Sequence, residues 1–117
     1  MITRVTKIVR FETAHQLASS YAKECQTIHG HSYKCEVTLE GDVNEDGMVV
    51  DFKMIGEVLQ GIEDKYDHKF FTEETFGCNP TAENMAHDIF RTVQDSFINI
   101  KRVRLWETDT CYVEVGY

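Results

Sequence analysis

The chain has 117 residues, of which 20 are acidic and 12 are Lys or Arg, so its formal net charge is −8 at pH 7. This length predicts one compact domain, residues 1–117, whose small core favours assembly with copies of itself. No basic run is longer than Lys101-Arg102. Binding to nucleic-acid phosphates needs a concentrated basic surface, so we expect no nucleic-acid partner.

Apolar runs and cysteines indicate the compartment. Residues 1–10 alternate apolar and charged side chains, and no segment has the uninterrupted apolar length of a signal peptide or a membrane span. The four cysteines form no C-x-x-C pair and are far apart, at Cys25, Cys35, Cys78 and Cys111. We therefore expect a cytoplasmic protein with no membrane partner, although an even number of cysteines leaves two disulfides formally open.

Alternating apolar residues predict two strands in the first third of the chain. The first covers Val5 to Phe11, and the second, Tyr33 to Leu39, alternates apolar residues with charged and polar ones. The less regular segment between them, Gln16 to Thr27, is typical of a loop. Asp42 to Gly47 carries an Asp-Gly turn signal, so Met48 to Phe52 is predicted to return as a short paired strand.

The apolar spacing then changes to three and four residues, which predicts an amphipathic helix from Lys53 to Tyr66. A second helix is predicted after Asn79-Pro80-Thr81, which places cap-forming residues and a proline ahead of the apolar series Met85 to Phe97. Arg102 to Leu105 and Cys111 to Val115 alternate again on either side of a turn. The order ββααββ predicts an α+β domain, an antiparallel sheet with two helices on one face.

Histidine spacing predicts a metal site. His29 and His31 are two residues apart at the start of the second strand, so their side chains project from the same face. His15 continues the odd-numbered series of the first strand, and an adjacent strand would place it beside that pair. Neutral imidazoles suit zinc, and three protein ligands leave one coordination position open, as in catalytic zinc sites. The alternative is a chance H-x-H match between ordinary histidines.

Three further groups are candidates for proton transfer or binding. Cys25 lies four residues before His29. A metal cation nearby would favour its thiolate form, which could serve as a fourth ligand or as a base. The alternative is a small buried apolar residue. Asp67 and His68 are adjacent and can polarise one another for proton transfer, or the histidine merely contacts the last helix carbonyls. Glu107 accepts two N–H donors from a ligand or forms a salt bridge with a nearby arginine.

Together these residues resemble the 6-pyruvoyltetrahydropterin synthase superfamily. The resemblance lies in F-E-T-A-H ending at His15, C-Q-T-I-H-G-H-S-Y from Cys25, the Asp67-His68 pair, N-P-T-A-E-N from Asn79, and Glu107-Thr108. Three residues separate the cysteine from H-G-H, which is similar to the 6-carboxytetrahydropterin synthase branch that feeds queuosine and other 7-deazaguanines.

The resemblance implies the tunnelling fold, in which such subunits assemble into a barrel, commonly a homohexamer of two stacked trimers. It also implies active sites between subunits, so that Asp67 and His68 would serve a zinc site of a neighbouring chain. The implied reaction converts 7,8-dihydroneopterin triphosphate to 6-carboxy-5,6,7,8-tetrahydropterin, acetaldehyde and triphosphate. The alternatives are a synthase that makes 6-pyruvoyltetrahydropterin, another pterin lyase, and a non-catalytic zinc- or pterin-binding module.

The same resemblance implies a role for each site residue. Zinc would be held by His15, His29 and His31, and would acidify the side-chain hydroxyls of the substrate. Cys25 would move the proton of the side-chain carbon, and His68, held by Asp67, would move protons at the adjacent oxygen. Glu107 would accept the amino and ring N–H groups of the pterin, while Thr81 would help to close the pterin pocket.

Overall fold

The computed structural model describes residues 1–18 and 27–117. Its elements are, in order, β1 Thr3–His15, β2 His29–Gly41, α1 Phe52–Tyr66, β3 Lys69–Phe71, α2 Glu73–Phe76, α3 Ala82–Ser96, β4 Ile100–Thr108 and β5 Cys111–Gly116. The six long elements have the predicted order of two strands, two helices and two strands. The short β3 and α2 lie between the two long helices.

The strands in the described part of the chain form one sheet in the order β3-β1-β2-β4-β5. The four long strands pair antiparallel, as predicted. The sheet is nevertheless mixed, because β3 pairs in parallel with the end of β1. Sequence reasoning missed β3, since a strand of three residues is too short to show the alternation that identifies a strand.

The long helices cover one face of the sheet and form the core with it. α1 packs against β1, and α3 packs against β4 and β5. The buried strand residues that meet these helices include Phe11, Tyr33, Cys35, Val37, Leu39, Val103 and Leu105. They occupy odd positions and therefore lie on one face of the sheet. Removal of this apolar face from water stabilises the packing of the helices on the sheet. None of the described helices is long and apolar enough to cross a membrane.

The predicted strand from Met48 to Phe52 is wrong, because local hydrogen bonds shape this segment into a turn. The side chain of Asn44 accepts the backbone N–H groups of Asp46 and Met48, and the Asn44 N–H bonds to the Met48 carbonyl. Asp51 then caps α1 by accepting the Lys53 N–H at 2.9 Å. These bonds occupy backbone groups that a strand partner would otherwise satisfy.

We expect Gly61→Ala to stabilise the protein. Gly61 is exposed within α1, and an added Cβ would meet no atom within 4 Å. Alanine restricts the unfolded chain, so the free energy of unfolding should rise by about 0.5–1 kcal/mol, measured by chemical denaturation. Gly56→Ala is the matched control, because its Cβ would lie 3.3 Å from Cε of Lys7 and should gain less. A loss of stability in Gly61→Ala would contradict this account.

Candidate active site

The paired ends of β1 and β2 bring three imidazoles together. In the antiparallel register His15 lies opposite His29, and Thr13 lies opposite His31. Residues paired across two strands share a face, so the three histidines point to the helix-covered side of the sheet. Their ligand atoms and one carboxylate oxygen of Glu107 all lie within 4.8 Å of one another. The three predicted metal ligands and the predicted pterin anchor therefore form one cluster, called here the histidine cluster.

Hydrogen bonds determine which nitrogens face the centre of the histidine cluster. Nδ1 of His15 lies 2.7 Å from the Pro80 carbonyl oxygen, and Nδ1 of His29 lies 2.7 Å from the Thr27 carbonyl oxygen. A carbonyl only accepts, so both Nδ1 atoms carry hydrogen and the neutral rings present Nε2 lone pairs. These two Nε2 atoms face each other at 2.8 Å. Two lone pairs at this distance need a cation or a shared proton between them.

Burial makes a metal ion the better occupant. His15 is 1 % exposed, and burial is the largest cause that lowers its pKa. The neighbouring imidazoles lower this pKa as well, whereas the Pro80 carbonyl and Glu107 raise it. Nε2 of His31 is also buried and forms no hydrogen bond with the described residues, although Oε1 of Glu107 lies 2.8 Å away. Two converging lone pairs and a third unsatisfied nitrogen fit a divalent metal, and carbonyl-bound imidazoles suit zinc.

Glu107 lies at the edge of the histidine cluster and beside a small cavity. Its side chain is 29 % exposed and contacts His31, whereas the nearby Arg104 pairs with Glu114 at 2.6 Å. The predicted alternative, a salt bridge between Glu107 and an arginine, is therefore not formed among the described residues. The cavity measures about 80 Å³ and is also lined by Ala82, Glu83, Leu105, Cys111, Tyr112 and Val113. Glu107 thus links the imidazoles to a recess at the start of α3.

The N-P-T-A-E-N segment supports the histidine cluster from outside the sheet. Thr81 caps α3, because its hydroxyl accepts a backbone N–H of the first turn at 3.2 Å. Pro80 accepts the hydrogen bond of His15, and Asn79 forms two bonds of 3.0 Å with the backbone of Ala18. Sequence reasoning predicted the helix cap but missed these two contacts. A backbone carbonyl leaves no side-chain signal, whereas the amide side chain of Asn79 was a visible candidate.

Asp67 and His68 lie outside the histidine cluster. Asp67 accepts the backbone N–H of Glu12 at 2.8 Å, and its other oxygen lies 2.8 Å from Nδ1 of His68. The Glu12 hydrogen bond, followed by that of His68, lowers the pKa of Asp67. His68 has φ 58°, its side chain is 80 % exposed, and it borders an open cleft of about 490 Å³ that also reaches His31. An ionised carboxylate thus orients an exposed imidazole, which suits proton transfer.

The predicted base, Cys25, lies outside the described residues, as do residues 19–24 and 26. The described residues on either side of this segment contact the site. Ala18 bonds to Asn79, and the Thr27 carbonyl bonds to His29. Ala18 and Thr27, the described residues that flank this segment, are therefore tied to the histidine cluster and its support.

Comparison with known proteins identifies the family. The sequence profile described as 6-pyruvoyl tetrahydropterin synthase matches residues 4–116. The chain belongs to this family. The 6-carboxy-5,6,7,8-tetrahydropterin synthase of Haemophilus influenzae is 32% identical over 137 residues, covering 95% of this chain and 96% of that protein. The dihydroneopterin monophosphate aldolase of Pyrococcus furiosus is 30% identical over 120 residues and is matched along the whole of both chains.

A solved member of the 6-pyruvoyl tetrahydropterin synthase family has the same fold. The structure of the Caenorhabditis elegans 6-pyruvoyl tetrahydropterin synthase superposes with a TM-score of 0.89 at 24% identity, covering 100% of this chain and 96% of that one. The predicted tunnelling fold is therefore confirmed. At this level of identity the superposition establishes the fold and leaves the reaction to be argued from the site.

Proposed function

We propose that the protein is a zinc-dependent 6-carboxy-5,6,7,8-tetrahydropterin synthase that works in the cytoplasm, in queuosine or other 7-deazaguanine biosynthesis. It would convert 7,8-dihydroneopterin triphosphate and water to 6-carboxytetrahydropterin, acetaldehyde and triphosphate. The observation that carries this proposal is the convergence of three imidazoles and Glu107 within 4.8 Å, in a chain of the pterin synthase family. The name of the Haemophilus influenzae relative supports the choice of product.

In this proposal His15, His29 and His31 hold the metal. Bound zinc supplies a Lewis acid for the side-chain hydroxyls of the substrate. Two of the three ligand rings are oriented without a metal, because the carbonyls of Pro80 and Thr27 hold them with Nε2 turned inward. Burial lowers the pKa of His15, which favours the neutral form that coordinates a metal.

Glu107 is proposed to anchor the pterin ring. An ionised carboxylate accepts two parallel N–H groups, and the amino group and ring N–H of a pterin offer that pair. The recess beside Glu107 at the start of α3 is the proposed pterin pocket. Its remaining walls would come from other residues of this chain or from a neighbouring chain. The hydroxyl of Thr81 is engaged in capping, so we infer that Thr81 shapes this pocket by placing the first turn of α3.

Two separate groups are proposed to move protons. Cys25, as thiolate, would take the proton from the side-chain carbon of the substrate. His68 would exchange a proton with the adjacent hydroxyl oxygen, with Asp67 holding its ring in place. The exposure of His68 and its place outside the histidine cluster favour a role in a site shared with a neighbouring chain.

Assembly into a homohexamer, a dimer of trimers, is part of the proposal. In the described sheet β5 is an edge strand, and β1 has no partner on its outer side before Thr13. Open edges present unpaired backbone groups that a second chain can satisfy. Joining such edges would extend the sheet into a barrel and enclose sites between chains.

The direct test is to incubate zinc-loaded protein with 7,8-dihydroneopterin triphosphate and to identify the products by mass spectrometry. Carboxytetrahydropterin together with acetaldehyde is the expected result. Formation of 6-pyruvoyltetrahydropterin would reject the proposed product while keeping the metal centre. Intact substrate in the presence of bound zinc would favour a binding module instead.

A second candidate function comes from the Pyrococcus furiosus relative, a dihydroneopterin monophosphate aldolase at 30% identity over the full chain. In this case the substrate would carry one phosphate. The two substrates should therefore be compared at equal concentration in the same assay. A higher kcat/KM for the monophosphate would move the protein to the aldolase function.

A further inference from the structure

Tyr33 lies directly beside the histidine cluster on β2. It is 1 % exposed, and its ring stacks on Phe11 with centroids 5.6 Å apart. The same ring meets His31 nearly edge to face at 5.6 Å and His15 at 6.4 Å. Tyr33 therefore packs against two of the three proposed metal ligands.

The hydroxyl of Tyr33 is buried and has no hydrogen-bond partner among the described residues. Leaving such a group unpaired costs free energy that a phenylalanine of the same shape would avoid. A tyrosine hydroxyl is protonated at neutral pH and can donate one hydrogen bond. β2 and β4 are antiparallel, and Lys34 pairs with Trp106. Tyr33 precedes Lys34 and Glu107 follows Trp106, so these two residues lie next to that pair on facing strands. A donor without an acceptor thus lies near a carboxylate.

The Glu107 carboxylate lies beside a nitrogen that metal binding would occupy. Oε1 of Glu107 lies 2.8 Å from Nε2 of His31. Coordination of a metal by His31 uses the lone pair of that nitrogen and leaves it no hydrogen to donate. The carboxylate then needs a donor. The buried hydroxyl of Tyr33, which has no partner among the described residues, lies on the facing strand.

We propose that Tyr33 is a positioning residue whose hydroxyl donates to the Glu107 carboxylate when the three imidazoles hold zinc. This inference rests on the proposed zinc centre and pterin anchor. Glu107 would leave His31 on metal binding and be held by Tyr33 in the orientation that accepts the pterin. Metal loading would thereby prepare the substrate pocket.

The test is the zinc affinity of Tyr33→Phe, measured on the metal-free full chain by competition with a chromogenic chelator. The proposed hydrogen bond to the Glu107 carboxylate exists only in the zinc-loaded state. Its loss should therefore weaken zinc binding about tenfold. The metal-free variant should unfold at the same temperature as the parent or higher, since an unpaired hydroxyl is removed. In turnover, KM for the pterin should rise while kcat changes by less than about threefold.

Tyr66→Phe is the matched control. Tyr66 is equally buried and also stacks on Phe11, but its hydroxyl is already bonded to Asp88. This variant should lose stability and keep the zinc affinity of the parent. In a Glu107→Ala background, Tyr33→Phe should change zinc affinity no further, because the acceptor is gone.

Two results would overturn the inference in different ways. Parent-like zinc affinity in Tyr33→Phe would reject the role of Tyr33 and leave the zinc centre intact. Absence of zinc binding by the parent protein would reject the centre itself, and this inference with it.

Discussion

His31→Ala should lose zinc and turnover together. Removal of one of three imidazoles leaves two ligands, and the strands that carry them cannot move closer to replace the third. The number of zinc ions per chain should therefore fall from about one to less than about a tenth after gel filtration. Without the Lewis acid, kcat/KM should drop by at least about a thousandfold. Elemental analysis and the product assay on the same sample measure both quantities.

The fifth histidine of the chain provides the control. His87 lies on the exposed face of α3, so His87→Ala should keep the zinc content and the activity of the parent. Near-stoichiometric zinc in His31→Ala would show that the histidine cluster is not the metal centre. Zinc loss in both variants would point to a general loss of folding, which circular dichroism would detect.

His68→Ala should separate chemistry from metal binding. Its side chain is 80 % exposed and outside the histidine cluster, so zinc content should stay at the parent value. Loss of a proton-transfer group should lower kcat by about a hundredfold to ten-thousandfold. Asp67→Asn should have a smaller effect in the same direction, because it weakens the contact that orients the His68 ring. Loss of zinc from His68→Ala would contradict this division of labour.

A mixing experiment tests whether chains share a site. Cys25→Ala and His68→Ala are each expected to be inactive with zinc bound. If one chain supplies Cys25 and its neighbour supplies His68, equal amounts refolded together should regain activity at about a quarter of the sites. Mixed oligomers that stay inactive would indicate that each chain completes its own site.

Much of the fold followed from local patterns in the sequence. Odd-numbered apolar residues in β2 predicted its buried face, because alternate side chains of a strand point to opposite sides. The same parity predicted that His29 and His31 share a face and that His15 joins them from β1. The cap at Thr81 was also predicted, since a cap depends on residues within one turn. The structure has each of these features.

The tertiary structure decided what depends on contacts between distant residues. Local bonds around Asn44 replaced a predicted strand, and β3 is defined by its pairing with the distant end of β1. Pro80 contacts His15 across 65 positions of sequence through a backbone carbonyl, which has no signature in residue type. Packing likewise leaves the hydroxyl of Tyr33 without a partner in the part of the chain that the structure describes. The sequence by itself therefore determined which residues could bind a metal. Only the packed sheet and helices decided which nitrogens point into the histidine cluster and which donors lack a partner among the described residues.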